Sequence, residues 1–149
     1  MKGKVIKIEK ILDVSQCICN EYQRVTGQLI TEEYLHILLY YSQKEKLRLS
    51  GIPLFEEPML GWICYPVSLL VRSCFFRGEI LHHTETIHID NYNIIKSVVE
   101  QYAIYASWKL IEWVKEELPW KNSRKNRNNR NDFQALQLRD FQEEIFQEK

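Results

Sequence analysis

The chain has 149 residues, 45% hydrophobic and 27% charged, a balance that fits one globular domain with a real core and excludes a disordered chain. Twenty basic and twenty acidic side chains cancel, so overall charge gives no pull toward nucleic acid or an anionic membrane, and any such binding has to rest on a local patch. No stretch approaches the ~20 apolar residues needed to span a bilayer, the N-terminal MKGKVIKIEKI lacks the apolar run of a signal peptide, and Cys17, Cys19, Cys64 and Cys74 form no CxxC pair, so a reducing cytoplasm is the natural setting.

Residues 1–12 alternate Lys or Glu with Val and Ile and read as an extended arm or a helix lead-in. Asp13 looks like an N-cap, with Gln16 completing a capping-box pattern. Val14, Ile18, Tyr22 and Val25 follow at helical spacing until Thr26-Gly27, where glycine can take the left-handed conformation. Thr31 caps a second helix with Glu32 and Glu33 in its first turn. From Tyr34 to Tyr41 this helix is apolar nearly all round, so it is expected to be buried on most sides. Its second half, QKEKLRLS, is expected to emerge into solvent before Ser50-Gly51.

Residues 52–66 form a long connector punctuated by Pro53, Pro58, Gly61 and Pro66, of the kind that is functional or pinned by its own side chains, here Leu54, Phe55, Met59, Trp62 and Ile63. Pro66 suits the first turn of a third helix carrying Val67, Leu70, Val71, Cys74 and Phe75 and closed by Gly78. Residues 79–89 alternate weakly, as a short strand or a loop. Asp90 caps a long helical region with Ile94, Ile95, Val98, Val99 and Tyr102 as its stripe, a break near Tyr105–Ser107, and a short helix ended by Pro119. The segment 121–131, KNSRKNRNNRN, reads as a basic, Asn-rich loop, and Asp132 as the cap of a last helix with Leu138, Phe141 and Ile145 on one side. The expected fold is a single mostly α domain of five to seven helices, with at most a short β element near residues 79–89.

The sequence contains no catalytic constellation. Ser68 and Ser73 do not sit in a GxSxG elbow, and there is no glycine-rich phosphate loop or HExxH. Glu56-Glu57 reads as a solvated turn rather than an acid–base pair. His82, His83 and His88 lie close together with Cys64 and Cys74 upstream, but the paired ligand spacing of a zinc site is missing, which favours surface histidines over a metal. Lys121, Arg124, Lys125, Arg127 and Arg130 are the residues placed to contact phosphates. The alternative is a solvated loop, and the acidic last helix (Asp140, Glu143, Glu144, Glu148) would oppose a nucleic-acid backbone. Four tryptophans and eight tyrosines suit a protein interface. Taken singly, each of Trp62, Trp108, Trp113 and Trp120 fits the core, while the loop aromatics Phe55 and Trp62 are the better exposed anchors.

Four strings then occur in order: LHILLYYSQ (Leu35 to Gln43), GIPLFEEPMLGW (Gly51 to Trp62), YPVSLLVR (Tyr65 to Arg72) and LPW (Leu118 to Trp120). Together they resemble the antitoxin SocA-like, or Panacea, domain family of phage-associated GepA-type proteins, over roughly residues 13–146. That family is similar in a helix ending LLYxxQ, a GxPLFxExFxAW loop, a GPV helix start and a late THxxxPW segment. Tyr65, Ile37 and Lys115 depart from it, standing where the family usually has glycine, a basic residue and histidine. The resemblance implies residues 13–149 as the Panacea-like domain, and a cytoplasmic antitoxin rather than an enzyme. Such a protein needs no cofactor, metal or membrane; it binds a cognate toxin encoded by a neighbouring gene and delivers it to protease machinery. Phe55, Trp62, Tyr65 and Arg72 are the residues expected at the partner surface, with a nucleic-acid-binding phage regulator using loop 121–131 as the alternative.

Overall fold

The computed structural model describes residues 7–80, 86–125 and 133–148. Its elements are α1 (Ile11–Thr26), α2 (Glu32–Ser50), β1 (Leu60–Gly61), β2 (Pro66–Val67), α3 (Leu69–Phe76), α4 (Ile89–Tyr102), α5 (Ser107–Lys115), α6 (Leu118–Ser123) and α7 (Leu138–Gln147). The protein is therefore a single mostly helical domain, with seven helices and one two-stranded antiparallel ribbon among the described residues. The ribbon pairs Leu60 with Val67 and Gly61 with Pro66, so it lies in the connector after α2; of residues 79–89, the described ones form no strand. Residues 81–85 fall outside the described residues.

The helix α2 runs through the middle and packs against α1, α4, α5, α7 and β2. Every residue from Tyr34 to Ser42 is buried, as the all-round apolar pattern demands. Leu35, Ile37, Leu38 and Leu39 are fully buried, each stabilising the fold by about 1.5–3 kcal/mol. Thr31 caps the helix by accepting from the Tyr34 N–H, and Gly51 closes it at φ 73°. The Tyr34 hydroxyl reaches the carbonyls of Tyr102 and Tyr105 at 2.9 and 2.5 Å and so holds the break between α4 and α5. Burial pushes that phenol up to about 12.

The second half of α2 emerges into solvent only near its end, at Arg48 and Leu49, and not at the two lysines before them. Lys44 and Lys46 are buried because acidic and amide partners meet them. Lys46 Nζ donates to Asn91 Oδ1 at 2.6 Å, and Asn91 donates to Glu9 Oε2 at 2.7 Å. Lys44 Nζ bonds Glu117 and Glu148 at 2.8 and 2.6 Å. A lysine stem buries its methylenes freely; only its ammonium needs a partner.

Several boundaries shift for local reasons. Ile11 already begins α1, so Asp13 lies in the first turn instead of capping it. Residues 1–6 of the lead-in lie outside the described residues; within the rest, Glu9 N donates to Leu54 O at 2.7 Å, and Glu9 Oε2 accepts from the His88 N–H at the start of α4. The Ile11 N–H is met by Glu57 Oε2 at 3.2 Å, so Glu57 is a helix partner and not part of a solvated turn. Pro66 is in β2, and Ser68 caps α3. His88 Nδ1, not the Asp90 side chain, caps α4. Pro119 does not end a helix but sits in the first turn of α6, where a missing N–H costs nothing. The helix α7 starts at Leu138, after Gln137; Asp132 lies outside the described residues.

One side chain ties α2 to the connector. Gln43 Oε1 accepts from the Leu54 and Phe55 N–H groups at 2.7 and 3.4 Å, while Gln43 Nε2 donates to the Phe55 carbonyl at 2.9 Å. The carboxamide thus copies a strand partner for residues 54–55. Replacing it leaves partly buried backbone groups unsatisfied. We expect Gln43→Ala to destabilise the protein by about 2–4 kcal/mol, read as a lowered urea midpoint. Gln43→Glu should also destabilise it, because a carboxylate would then face the Phe55 carbonyl.

Candidate functional site

The connector and α6 build one surface together. Trp120 Nε1 donates to the Trp62 carbonyl at 2.9 Å, and Arg124 Nη1 donates to the Gly61 carbonyl at 2.7 Å. Residues 134–136 run along the other side of this strand, with Gly61 N donating to Gln134 O and Leu136 N to Met59 O, both at 2.8 Å. Gly61 is required by the closeness of α6: a Cβ there would stand 1.8 Å from Ser123 Oγ.

This backbone lattice orients a ladder of rings and cations. Trp62 stacks on Phe133 with centroids 4.1 Å apart and planes at 19°. The Arg124 guanidinium lies 5.3 Å from the Phe133 ring centre. The Arg72 guanidinium lies 5.7 Å from the Trp62 ring centre and 5.5 Å from that of Phe76. The α3 face that carries Arg72 is open: Leu69 is 51% exposed and Phe76 66%. Val71 and Cys74 are buried on the inner side of that helix.

Beneath the ladder, His36 is fully buried. Its Nε2 faces the Ser68 carbonyl at 3.2 Å and its Nδ1 faces Glu32 Oε2 at 2.9 Å. The Glu32 carboxyl is held below its ordinary range first by the hydrogen bond with His36, then by Arg72 and Tyr65, against the effect of burial. Burial, with Glu32 and Glu33 adding, pushes the Tyr65 phenol up to about 12.

Of the four expected partner residues, Tyr65 and Arg72 both act on Glu32, and Trp62 meets Arg72. Phe55 does not join them. It is 1% exposed, held by Gln43 and bridged to Glu9, and it lines a cavity of about 410 Å³ between residues 53–59 and 135–141. Of the expected phosphate contacts, Lys121 and Lys125 are exposed, Arg124 is turned inward onto Gly61 and Phe133, and Arg127 and Arg130 lie outside the described residues. Lys121 belongs to α6 and not to a loop.

Sequence reasoning missed a second aromatic cluster. Trp108 is 62% exposed and Trp113 is also exposed, so neither is core, and Lys109 Nζ lies 5.9 and 5.7 Å from their ring centres. Only the period of so short a helix could have signalled this. Among the described residues, the carboxylates of Glu117, Glu144 and Glu148 gather closely enough for a cation. Protein groups already occupy that place: Tyr40 and Lys44 on Glu117, Lys44 and Arg48 on Glu148, and the Leu118 N–H on Glu144. His82 and His83 lie outside the described residues, and His88 is spent as a helix cap.

No family profile, curated protein or solved structure matches the chain.

Two outcomes follow from this geometry. Because the folded pKa of Glu32 is lowered, its contribution is complete above the ordinary carboxylate value of 4.5 and is lost as pH falls through the lowered folded value. Urea midpoints measured across pH should show wild type losing stability more steeply on acidification than Glu32→Gln, with the two converging at low pH. Gly61→Ala should destabilise the protein by about 1–3 kcal/mol through overpacking, and Ser123→Gly in the same chain should restore part of that loss in thermal denaturation.

Proposed function

We propose that the protein is an antitoxin: a cytoplasmic binding domain that neutralises a cognate toxin by direct complex formation and hands it to a protease. It changes no bond itself. The observation that carries this reading is the open α3 face, where Leu69 and Phe76 flank an arginine already oriented by two rings. Exposed apolar area beside Trp, Tyr and Arg has the composition of a protein-interface hot spot. A second support is physical contact between the strings that carry the family resemblance. Gln43 of the first holds Phe55 of the second, and Trp120 of the last holds Trp62. A toxin gripped through this face would be blocked sterically.

The test is co-expression with the protein encoded next to this one. Rescue of growth and a co-purified complex are expected. Phe76→Ala and Leu69→Ala should each weaken that complex by roughly tenfold or more while leaving the thermal midpoint unchanged, since both side chains are exposed. Absence of rescue together with absence of a complex removes the reading for that pair.

A further inference from the structure

On α3, Leu69, Arg72, Ser73 and Phe76 are spaced i, i+3, i+4 and i+7, so they form one outward stripe opposite Val71 and Cys74. Arg72 differs from the other cation of this helix end. Arg77 is paired with Glu79 through two bonds of 2.8 and 3.0 Å, so its charge is locally cancelled. The Arg72 guanidinium makes no hydrogen bond to any described residue. Its charge is felt by Glu32, whose Oε2 stands 2.9 Å from His36 Nδ1, but no hydrogen bond joins Arg72 to Glu32. Trp62 and Phe76 both lie within cation–π distance of the guanidinium, and its N–H groups remain to donate.

The stack also cannot slide away freely. Trp62 is fixed by Phe133 on its ring and by Trp120 on its carbonyl. The fork is therefore oriented before any partner arrives, which lowers the ordering cost of binding. A planar fork with free in-plane donors matches a carboxylate in bidentate fashion.

We infer that the α3 stripe reads an acidic residue of a protein partner, an Asp or Glu seated on the Arg72 N–H edge, with apolar side chains on either side of it packing on Leu69 and Phe76. This deepens the antitoxin reading and rests on it for the identity of the partner. A protein carboxylate is favoured over a nucleic-acid phosphate because Leu69, Leu70 and Phe76, all exposed, surround one unpaired cation, whereas a phosphate backbone is met by several cations in a row.

The experiment selects displayed random peptides on the immobilised full chain. It then measures the recovered peptides against wild type, Arg72→Lys, Arg72→Gln and, as a control away from the stripe, Lys125→Ala. Recovered sequences should share an Asp or Glu flanked by Leu, Ile, Val or Phe. Their affinity should fall at least about tenfold in Arg72→Lys, which keeps the charge but loses the fork, and further in Arg72→Gln. Lys125→Ala should bind as wild type does. Near-ultraviolet circular dichroism of both Arg72 variants should match wild type; if Arg72→Gln is misfolded, Arg72→Lys decides the matter alone. Recovery of no binders, recovery of peptides without acids, or equal binding by Arg72→Lys and Arg72→Gln would overturn the inference. Displacement of the peptides by single-stranded oligonucleotide would reassign the stripe to nucleic acid. Self-association abolished by Phe76→Asp would reassign it to a second copy of the chain. Peptide binding that depends on Arg72, with no complex formed by the neighbouring gene product, would sink the antitoxin reading and leave this one standing. A toxin complex indifferent to Arg72→Gln would do the reverse.

Discussion

The carboxamide of Gln43 is the constraint on which the connector depends. A buried helix such as α2 presents side chains in every direction, and one of them has to face the backbone of the chain that folds back over it. Backbone N–H and carbonyl groups in that position need partners. Gln43 supplies an acceptor and a donor from one planar group for the Leu54 and Phe55 N–H groups and the Phe55 carbonyl, while the Leu54 carbonyl accepts from the Glu9 N–H. With that segment fixed, Leu54 and Phe55 enter the core and Glu57 reaches the first free N–H of α1.

The same logic of remote partners recurs at other helix starts. Glu144 of α7 accepts from the Leu118 N–H of α6, and Glu9 accepts from the His88 N–H before α4. Each helix start carries partial positive charge and free donors, so a carboxylate from elsewhere in the chain satisfies both. Burial and the neighbouring Glu117 and Glu148 raise the Glu144 carboxyl, while Lys44 and Arg48 hold Glu148 below its ordinary range although burial works against them. This carboxylate group therefore fastens α7 to α2 and α6.

The exposed surface follows from that interior. The α6 helix approaches the Gly61 backbone closely because glycine leaves room for Ser123, and the approach lets Trp120 and Arg124 reach consecutive carbonyls. Trp62 is thereby held stacked against Phe133, and Arg72 lies within cation–π distance of both Trp62 and Phe76. A surface of this kind has rigid aromatic anchors and one oriented charge, which gives specificity at little ordering cost.

Much of the helical framework was legible in the residues because it depends on local chemistry. Thr31, Gly27 and Gly51 act through their own backbone conformations, and the apolar run from Tyr34 to Tyr41 has one physical outlet, burial on all sides. The convergence of Trp62, Tyr65 and Arg72 was legible only as a list of types; their meeting required the β1–β2 turn. What local pattern misread were residues whose partners are distant in the chain. Lys46 looked solvated until Asn91 and Glu9 met it, Glu57 looked like a turn acid until Ile11 was beside it, and Phe55 looked like an anchor until Gln43 drew it inward. The sequence by itself determined which stretches are helical and where Thr31, Gly27 and Gly51 punctuate them, since those depend on spacing and conformational freedom. The tertiary structure alone decided which charges are buried and which rings stay outside, because that depends on the partner a side chain meets across the fold.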